Sequence, residues 1–226
     1  MRDILVVCPS RDRPVESAEM AASFIKTSTH AKLVFYLDDD QNQQNPYHAL
    51  AMQATEHSNR IIIHKGPRLG ANRSTNAMVD LYPSDVYGMV PDDVEFKVAG
   101  WDDYLLEELS KFKDGIGVVA PHTNFGSQVD MPFCTRGWVE AVGWFGYPNV
   151  GHYVWPSIIA LLGYCIAPDR LIHADPKRFF IHHYVRGASG YGMMYQDCRA
   201  LYDFMAQDFP VYAERVRNAT KEVSVG

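Results

Sequence analysis

Short apolar runs alternate with helix-period segments along the first half of the chain, and this alternation restricts the fold more than any other feature. Ile4 to Cys8, Leu33 to Leu37, Ile61 to His64, Val86 to Val90 and Ile116 to Ala120 are short runs rich in aliphatic, largely β-branched residues. Bounded by Pro, Gly or charged residues, such runs read as buried strands. Between them, Pro14 to Lys26, Ala71 to Tyr82 and Trp101 to Phe112 repeat apolar residues at helical spacing. Pro14 suits the first turn of its helix. Strands and helices in this order predict an α/β fold, with a mixed, mostly parallel sheet flanked by helices. The second half is less regular. Ser157 to Leu162 reads as a short buried helix, Leu171 to His173 and Phe179 to His183 as strand fragments, and Arg199 to Val216 as a terminal helix. His122 to Met131 reads as a mobile loop.

At 226 residues the chain suits one domain able to bury a real core. Its net charge of −6 argues against a broad nucleic-acid-coating surface. Cys8, Cys134, Cys165 and Cys198 lack CxxC spacing and read as buried free thiols in a reducing compartment. The apolar run before Pro9 is too short for a signal peptide, and no run approaches the length of a membrane span. These features give the expectation of a cytoplasmic protein of a bacterial or virus-infected cell.

The densest chemistry lies in Val86-Tyr-Gly-Met-Val-Pro-Asp-Asp-Val-Glu-Phe96. Pro91 cannot donate to a sheet ladder, so the strand ends there and Asp92 and Asp93 follow at its carboxyl end. Ligands of open α/β sheets bind in the crevice at that edge. Divalent cations that bridge phosphates take carboxylate oxygens there. Pro-Asp-Asp is also good turn chemistry, and in isolation the acidic-turn reading is the stronger. Neighbouring stretches shift the balance. Pro9-Ser-Arg-Asp-Arg-Pro14 joins a strand to a helix and carries two arginines, a combination that favours anions. Asp38-Asp-Asp40 ends the second strand, where it is either solvated or accepts from a base or ribose. Asn72 and Asn76 lie one turn apart on a helix, exposed or facing a ligand. His182 and His183 are strand neighbours pointing to opposite faces, so at most one faces a metal held by Asp93.

Four of these segments, in order, resemble the nucleotide-sugar glycosyltransferases of the GT-A fold, particularly the large family of compact inverting enzymes. Val6-Val-Cys-Pro-Ser-Arg-Asp-Arg-Pro14 resembles the opening strand and its loop, and Tyr36-Leu-Asp-Asp39 the second strand. Gly66-Pro-Arg-Leu-Gly-Ala-Asn-Arg-Ser-Thr-Asn76 resembles the glycine-asparagine loop and helix. Met89-Val-Pro-Asp-Asp-Val-Glu95 resembles the strand that ends in the Asp-x-Asp motif. The resemblance covers about the first half, and it rests on order and spacing rather than on any one motif.

It implies a single GT-A domain over 1–226, with residues 1–120 binding the nucleotide sugar and 121–226 the acceptor. Pro9, Ser10, Arg11 and Arg13 would line the nucleotide pocket, and Asp38 or Asp39 would contact the base. Gly70 and Asn76 would sit near the ribose or diphosphate. Asp93 would ligate Mn²⁺ or Mg²⁺, with Asp92 on the ribose, the donor sugar or the metal's waters. His182 or His183 would close the metal site. Pro91 replaces the motif's first acid, which makes the coordination leaner. No acidic pair occupies the family's usual position for the catalytic base; His152 is the nearest candidate there, with Asp130 and Glu140 as alternatives. The implied activity is transfer from a nucleoside-diphosphate sugar, UDP-sugar favoured, to an acceptor hydroxyl. The sequence does not name the acceptor: a compact chain without membrane spans suits a glycan, a protein or a hydroxymethylated DNA base, the last suggested by compactness alone and disfavoured by the acidic net charge. A nucleotidyltransferase ranks second, because Pro9 to Pro14 contains no glycine or lysine. A non-catalytic nucleotide-sugar-binding module is the other alternative.

Overall fold

The computed structural model describes residues 3–40, 47–126, 129–149, 155–184, 199 and 201–221. Four parallel strands form one half of a seven-stranded sheet: β1 (Ile4–Ser10), β2 (Lys32–Asp38), β3 (Ile61–Gly66) and β4 (Val86–Met89). Between them run α1 (Pro14–Thr27), α2 (His48–Glu56) and α3 (Ala71–Leu81). A short strand β5 (Val94–Phe96) and helix α4 (Trp101–Leu109) follow. Next come β6 (Val118–Ala120), β7 (His122–Thr123), β8 (Phe133–Thr135) and α5 (Arg136–Val142). The chain continues through α6 (Trp155–Ile166), β9 (Leu171–His173), β10 (Phe180–His183) and, after a π-helical turn at Phe204–Asp208, α7 (Phe209–Lys221).

The sheet order is β3-β2-β1-β4-β8-β6-β9, with β8 antiparallel to both of its neighbours. The sheet is therefore mixed and mostly parallel, as the alternation predicts. Parallel strands are covered on both faces, and the side chains divide accordingly. Ile4, Val6 and Cys8 of β1 face one core with Met20 and Phe24 of α1 and Trp101 of α4. Leu5 and Val7 face the other, with Met78 of α3, Trp138 of α5 and Ile159 of α6. In β4, a Cβ on Gly88 would lie 2.4 Å from the Phe133 ring, so only glycine lets β8 pair there.

Trp101 anchors the first core. Its ring stacks on Phe96 at 4.9 Å and on Phe179 at 4.9 Å, and meets Phe24 and Phe133 at an angle. Next to it, the buried Asp102 accepts from the backbone N–H groups of Thr29, His30 and Ala31, which fixes the turn between α1 and β2.

A second, three-stranded sheet runs β5-β10-β7. Its edge strand β5 lies against α1, where the Phe96 N–H donates to Ser23 Oγ at 3.2 Å. The sequence reading missed β5, β7 and β8, which are two or three residues long and too short for a period to register. It also missed α2, which buries only Leu50, and α5. His122 and Thr123 form a strand paired with β10, not the start of a mobile loop. Helix α6 extends beyond both ends of the predicted helix. Cys8 and Cys134 are buried as expected, whereas Cys165 is exposed on α6; Cys198 lies outside the described residues.

Removing the Trp101 ring deletes contacts with four aromatic rings at once. Trp101→Ala is expected to cost about 3–5 kcal/mol of unfolding free energy, measured by chemical denaturation.

Candidate active site

The loop between β1 and α1 is a turn with two outward arms. Pro14 starts α1. Asp12 adopts φ 56°, and among the described residues it is the one non-glycine with positive φ. A short polar side chain tolerates that left-handed geometry. The arginines on either side then diverge. Arg11 Nη1 donates to Asp38 Oδ2 at 2.8 Å and also pairs with Asp40, tying the loop to the end of β2. Arg13 Nη1 donates to Asp92 Oδ1 at 3.2 Å and to Asp93 Oδ2 at 3.1 Å, beyond the end of β4.

Both acids of that pair are buried, Asp92 at 5% exposure and Asp93 at 6%. Ser10, at the end of β1, donates to Asp92 Oδ2 at 2.6 Å. Its Oγ also lies 2.8 Å from Ser17 Oγ and 3.0 Å from the Tyr47 hydroxyl. The Arg13 N–H donates to that same hydroxyl at 3.2 Å. From the second sheet, Tyr184 N–H donates to the Asp93 carbonyl at 2.9 Å, continuing the β5–β10 pairing. This register brings His183 Nε2 to 3.2 Å from Asp93 Oδ1. Asn124 brackets the His183 backbone with two hydrogen bonds, and the Phe125 ring meets the imidazole edge-on at 5.6 Å. His182 points to the other face, opposite Glu95 and against the Tyr184 ring. Of the two histidines, His183 is the one brought to the acids.

Burial dominates the electrostatics. It pushes the Asp92 carboxyl from 3.8 up to about 6, against the opposing pull of Ser10 and Arg13, and the neighbouring charge of Asp93 adds to the rise. An ion pair alone would lower this carboxyl; desolvation outweighs it. For Arg13 the balance goes the other way. Burial works against its charge, but Asp92 and Asp93 outweigh burial and hold the guanidinium more firmly protonated. Cys8 lies beneath the pair. Burial first, and then the two acids, raise its thiol well above the ordinary value, so it is no nucleophile.

The remaining predicted residues fall elsewhere. Pro9 is half-buried in β1, and Asp39 is exposed in the turn after β2. Gly70 takes φ 78° at the start of α3. Asn76 does not turn toward a ligand space: its Oδ1 accepts from Phe145 N–H and Gly146 N–H, and its Nδ2 donates to the Gly146 carbonyl. Asn72 likewise donates to the Tyr147 carbonyl. Both asparagines staple the segment after α5 to the start of α3. Asp130 accepts from Thr123 Oγ1 at 2.9 Å, and Thr123 pairs with Ile181, two residues before His183. Glu140 is exposed on α5, a helix that starts beside Asp85 at the opposite end of β4. His152 lies outside the described residues. Sequence reasoning missed Ser17, Tyr47, Asn124 and Phe125, none of which belongs to a spaced motif.

No protein-family model and no curated protein matches the chain by sequence. Solved structures do match in shape. A mannosyltransferase from Pyrobaculum calidifontis, solved with GDP-Man and Mn²⁺, aligns with TM-score 0.65 at 11% identity, over 99% of this chain and 75% of that one. The fold is GT-A. Glucosyl-3-phosphoglycerate synthase from Mycobacterium tuberculosis, solved with Mn²⁺, UDP and glucosyl-3-phosphoglycerate, aligns with TM-score 0.63 at 12% identity, over 89% of this chain and 79% of that one. S. aureus TarS with UDP aligns with TM-score 0.61 at 10% identity; the chain spans 64% of that TarS chain, with 88% of its own length covered. No helix among the described residues is long and apolar enough to cross a membrane.

On this GT-A frame, the residues fit a divalent ion of the Mn²⁺ or Mg²⁺ kind. Carboxylate oxygens and an imidazole nitrogen are donors that such ions accept. The Asp93 Oδ1 to His183 Nε2 distance of 3.2 Å suits two adjacent ligands of one ion, since bonds of about 2.1 Å at right angles end roughly 3 Å apart. Among the described residues no three His, Cys, Asp or Glu side chains gather around one point.

Between about pH 4 and pH 6 the folded chain keeps a proton on Asp92 that the unfolded chain has released. Stability therefore falls as pH rises through that window, by up to roughly 3 kcal/mol from this group. In metal-free buffer, Asp92→Asn is expected to flatten that part of the pH–stability curve measured by urea denaturation.

Proposed function

We propose that the chain is a glycosyltransferase that moves a sugar from a nucleoside-diphosphate sugar, UDP-sugar favoured, to an acceptor hydroxyl. The convergence of Asp92, Asp93, Arg13 and His183 beyond the end of β4 carries this reading. A buried carboxylate pair with an arginine and an imidazole suits a metal-bridged diphosphate, and the GT-A fold supports the same assignment. Arg11, Asp38 and Asp39 would border the base, and Pro9, Ser10 and Gly70 the rest of the nucleotide. Residues 1–120 would carry the donor side and 121–226 the acceptor side.

The reaction is a single displacement with inversion. The acceptor oxygen bonds to the anomeric carbon as the bond from that carbon to the diphosphate oxygen breaks. A base takes the acceptor's proton, and the nucleoside diphosphate leaves with the electron pair. Asp93 and His183 would hold the Mn²⁺ or Mg²⁺, which when bound supplies positive charge to the leaving diphosphate. His152 or Asp130 would serve as the base; Asp130 accepts from Thr123, whose strand pairs with β10. Phe125, 47% exposed beside His183, would form a wall for the acceptor. The acceptor would be a glycan, a protein or a hydroxymethylated DNA base, and the chain would act in the cytoplasm.

A panel of nucleoside diphosphates and nucleotide sugars tests this by thermal stability, with and without Mn²⁺. A donor at about a hundred times its dissociation constant should add roughly 2–3 kcal/mol to the folded state. The expected result is a Mn²⁺-dependent shift with one nucleotide, lost in Asp93→Ala. Binding without transfer to any acceptor would assign a nucleotide-sugar-binding module instead, and no shift with any nucleotide would remove the donor reading altogether.

A further inference from the structure

We propose that Arg13 is the resident cation of the Asp92–Asp93 pair, and that a divalent ion and the donor's diphosphate replace it together, the ion taking the carboxylates and the diphosphate taking the guanidinium. The inference rests on the metal and diphosphate reading above and goes beyond it.

A single nitrogen carries the first part of the argument. Arg13 Nη1 sits 3.2 Å from Asp92 Oδ1 and 3.1 Å from Asp93 Oδ2, so one atom occupies the space between the two carboxylates. The other two oxygens also have protein partners: Ser10 Oγ on Asp92 Oδ2, and His183 Nε2 beside Asp93 Oδ1. An ion that binds both acids must take the place of Nη1. An ion that binds Asp93 through Oδ1 alone lies close enough to the guanidinium to be repelled by it.

The second part concerns what can move. The Arg13 backbone is held between Asp12 and Pro14, and its N–H donates to Tyr47. Its side chain is 28% exposed, so the guanidinium has a way out to solvent while the loop stays in place. Arg11 cannot substitute for it, because the left-handed turn at Asp12 sends Arg11 to Asp38 and Asp40.

Charge balance then makes the two ligands cooperative. Two carboxylates and one guanidinium leave one negative charge. Adding a divalent ion while the arginine stays crowds three positive charges around two negative ones. Expelling the arginine into water forfeits its ion pairs. A diphosphate offers the displaced guanidinium two or more anionic oxygens in a geometry it matches well. Each ligand thus relieves the cost of the other, which is positive coupling between two binding events.

The test uses Mn²⁺ alone, titrated without nucleotide and followed by the electron paramagnetic resonance signal of the free ion. Arg13→Met is expected to bind Mn²⁺ at least about tenfold tighter than the wild-type chain, and to gain more in melting temperature from it. Arg13→Lys, which keeps the charge, should stay near the wild type. Equal or weaker Mn²⁺ binding by Arg13→Met would overturn the proposal while leaving Asp93 as a metal ligand. No Mn²⁺ binding by any of the three proteins would overturn both readings. A wild-type measurement guards against misfolding of the variants. The ¹⁵N side-chain resonance of Arg13, restrained while it bridges two carboxylates, should sharpen as Mg²⁺ is added. An unchanged resonance, where Mg²⁺ demonstrably binds, would overturn the proposal.

Discussion

Two neighbouring carboxylates buried at one sheet edge repel each other and lose their hydration, and the local structure answers that problem. Asp92 and Asp93 hold their places because β1 ends in a hydroxyl and its loop delivers a guanidinium. Such an arrangement is costly to break from one side; stranding a buried charge typically costs about 3–5 kcal/mol. The geometry of the loop follows from this demand. A left-handed residue turns the chain so that one arginine reaches β2 and the other reaches β4, and the proline then commits the backbone to α1.

The second half of the chain completes the arrangement from two directions. Strand β8 inserts antiparallel between β4 and β6, extending the sheet that carries the acids. Strand β10 joins a separate small sheet, whose register against β5 sets which histidine faces Asp93. The aromatic cluster around Trp101 connects the two sheets, since Phe133 belongs to one and Phe96 to the other. Scaffold and site are thus built from residues distant in sequence but joined through the first of the two cores.

The four parallel strands were legible because each is a run of apolar residues buried on both faces, a pattern that survives without knowledge of partners; their order in the sheet was not, because it depends on which strands pair. The acid pair and the two arginines were legible because they punctuate strand ends. The choice between His182 and His183 was left open, because it depends on a strand register that no local pattern encodes. Asn76 misled for a related reason. Its spacing with Asn72 places both on one helix face, but what that face meets, here the backbone of Phe145 and Gly146, is fixed by a chain segment some seventy residues away. Tyr47 escaped notice because a lone aromatic after a polar stretch carries no period at all.

The bond from the Phe96 N–H to Ser23 Oγ bears on how this molecule behaves among its own kind. Strand β5 is one margin of the small sheet, β7 being the other, and an open margin is a template on which a neighbouring molecule can lay down a further strand. A helix hydroxyl already occupies that amide, and α1 lies alongside it. At that position the amide is not available to a neighbouring strand, so the protein can keep this edge of its three-stranded platform beside the acids with one fewer open donor.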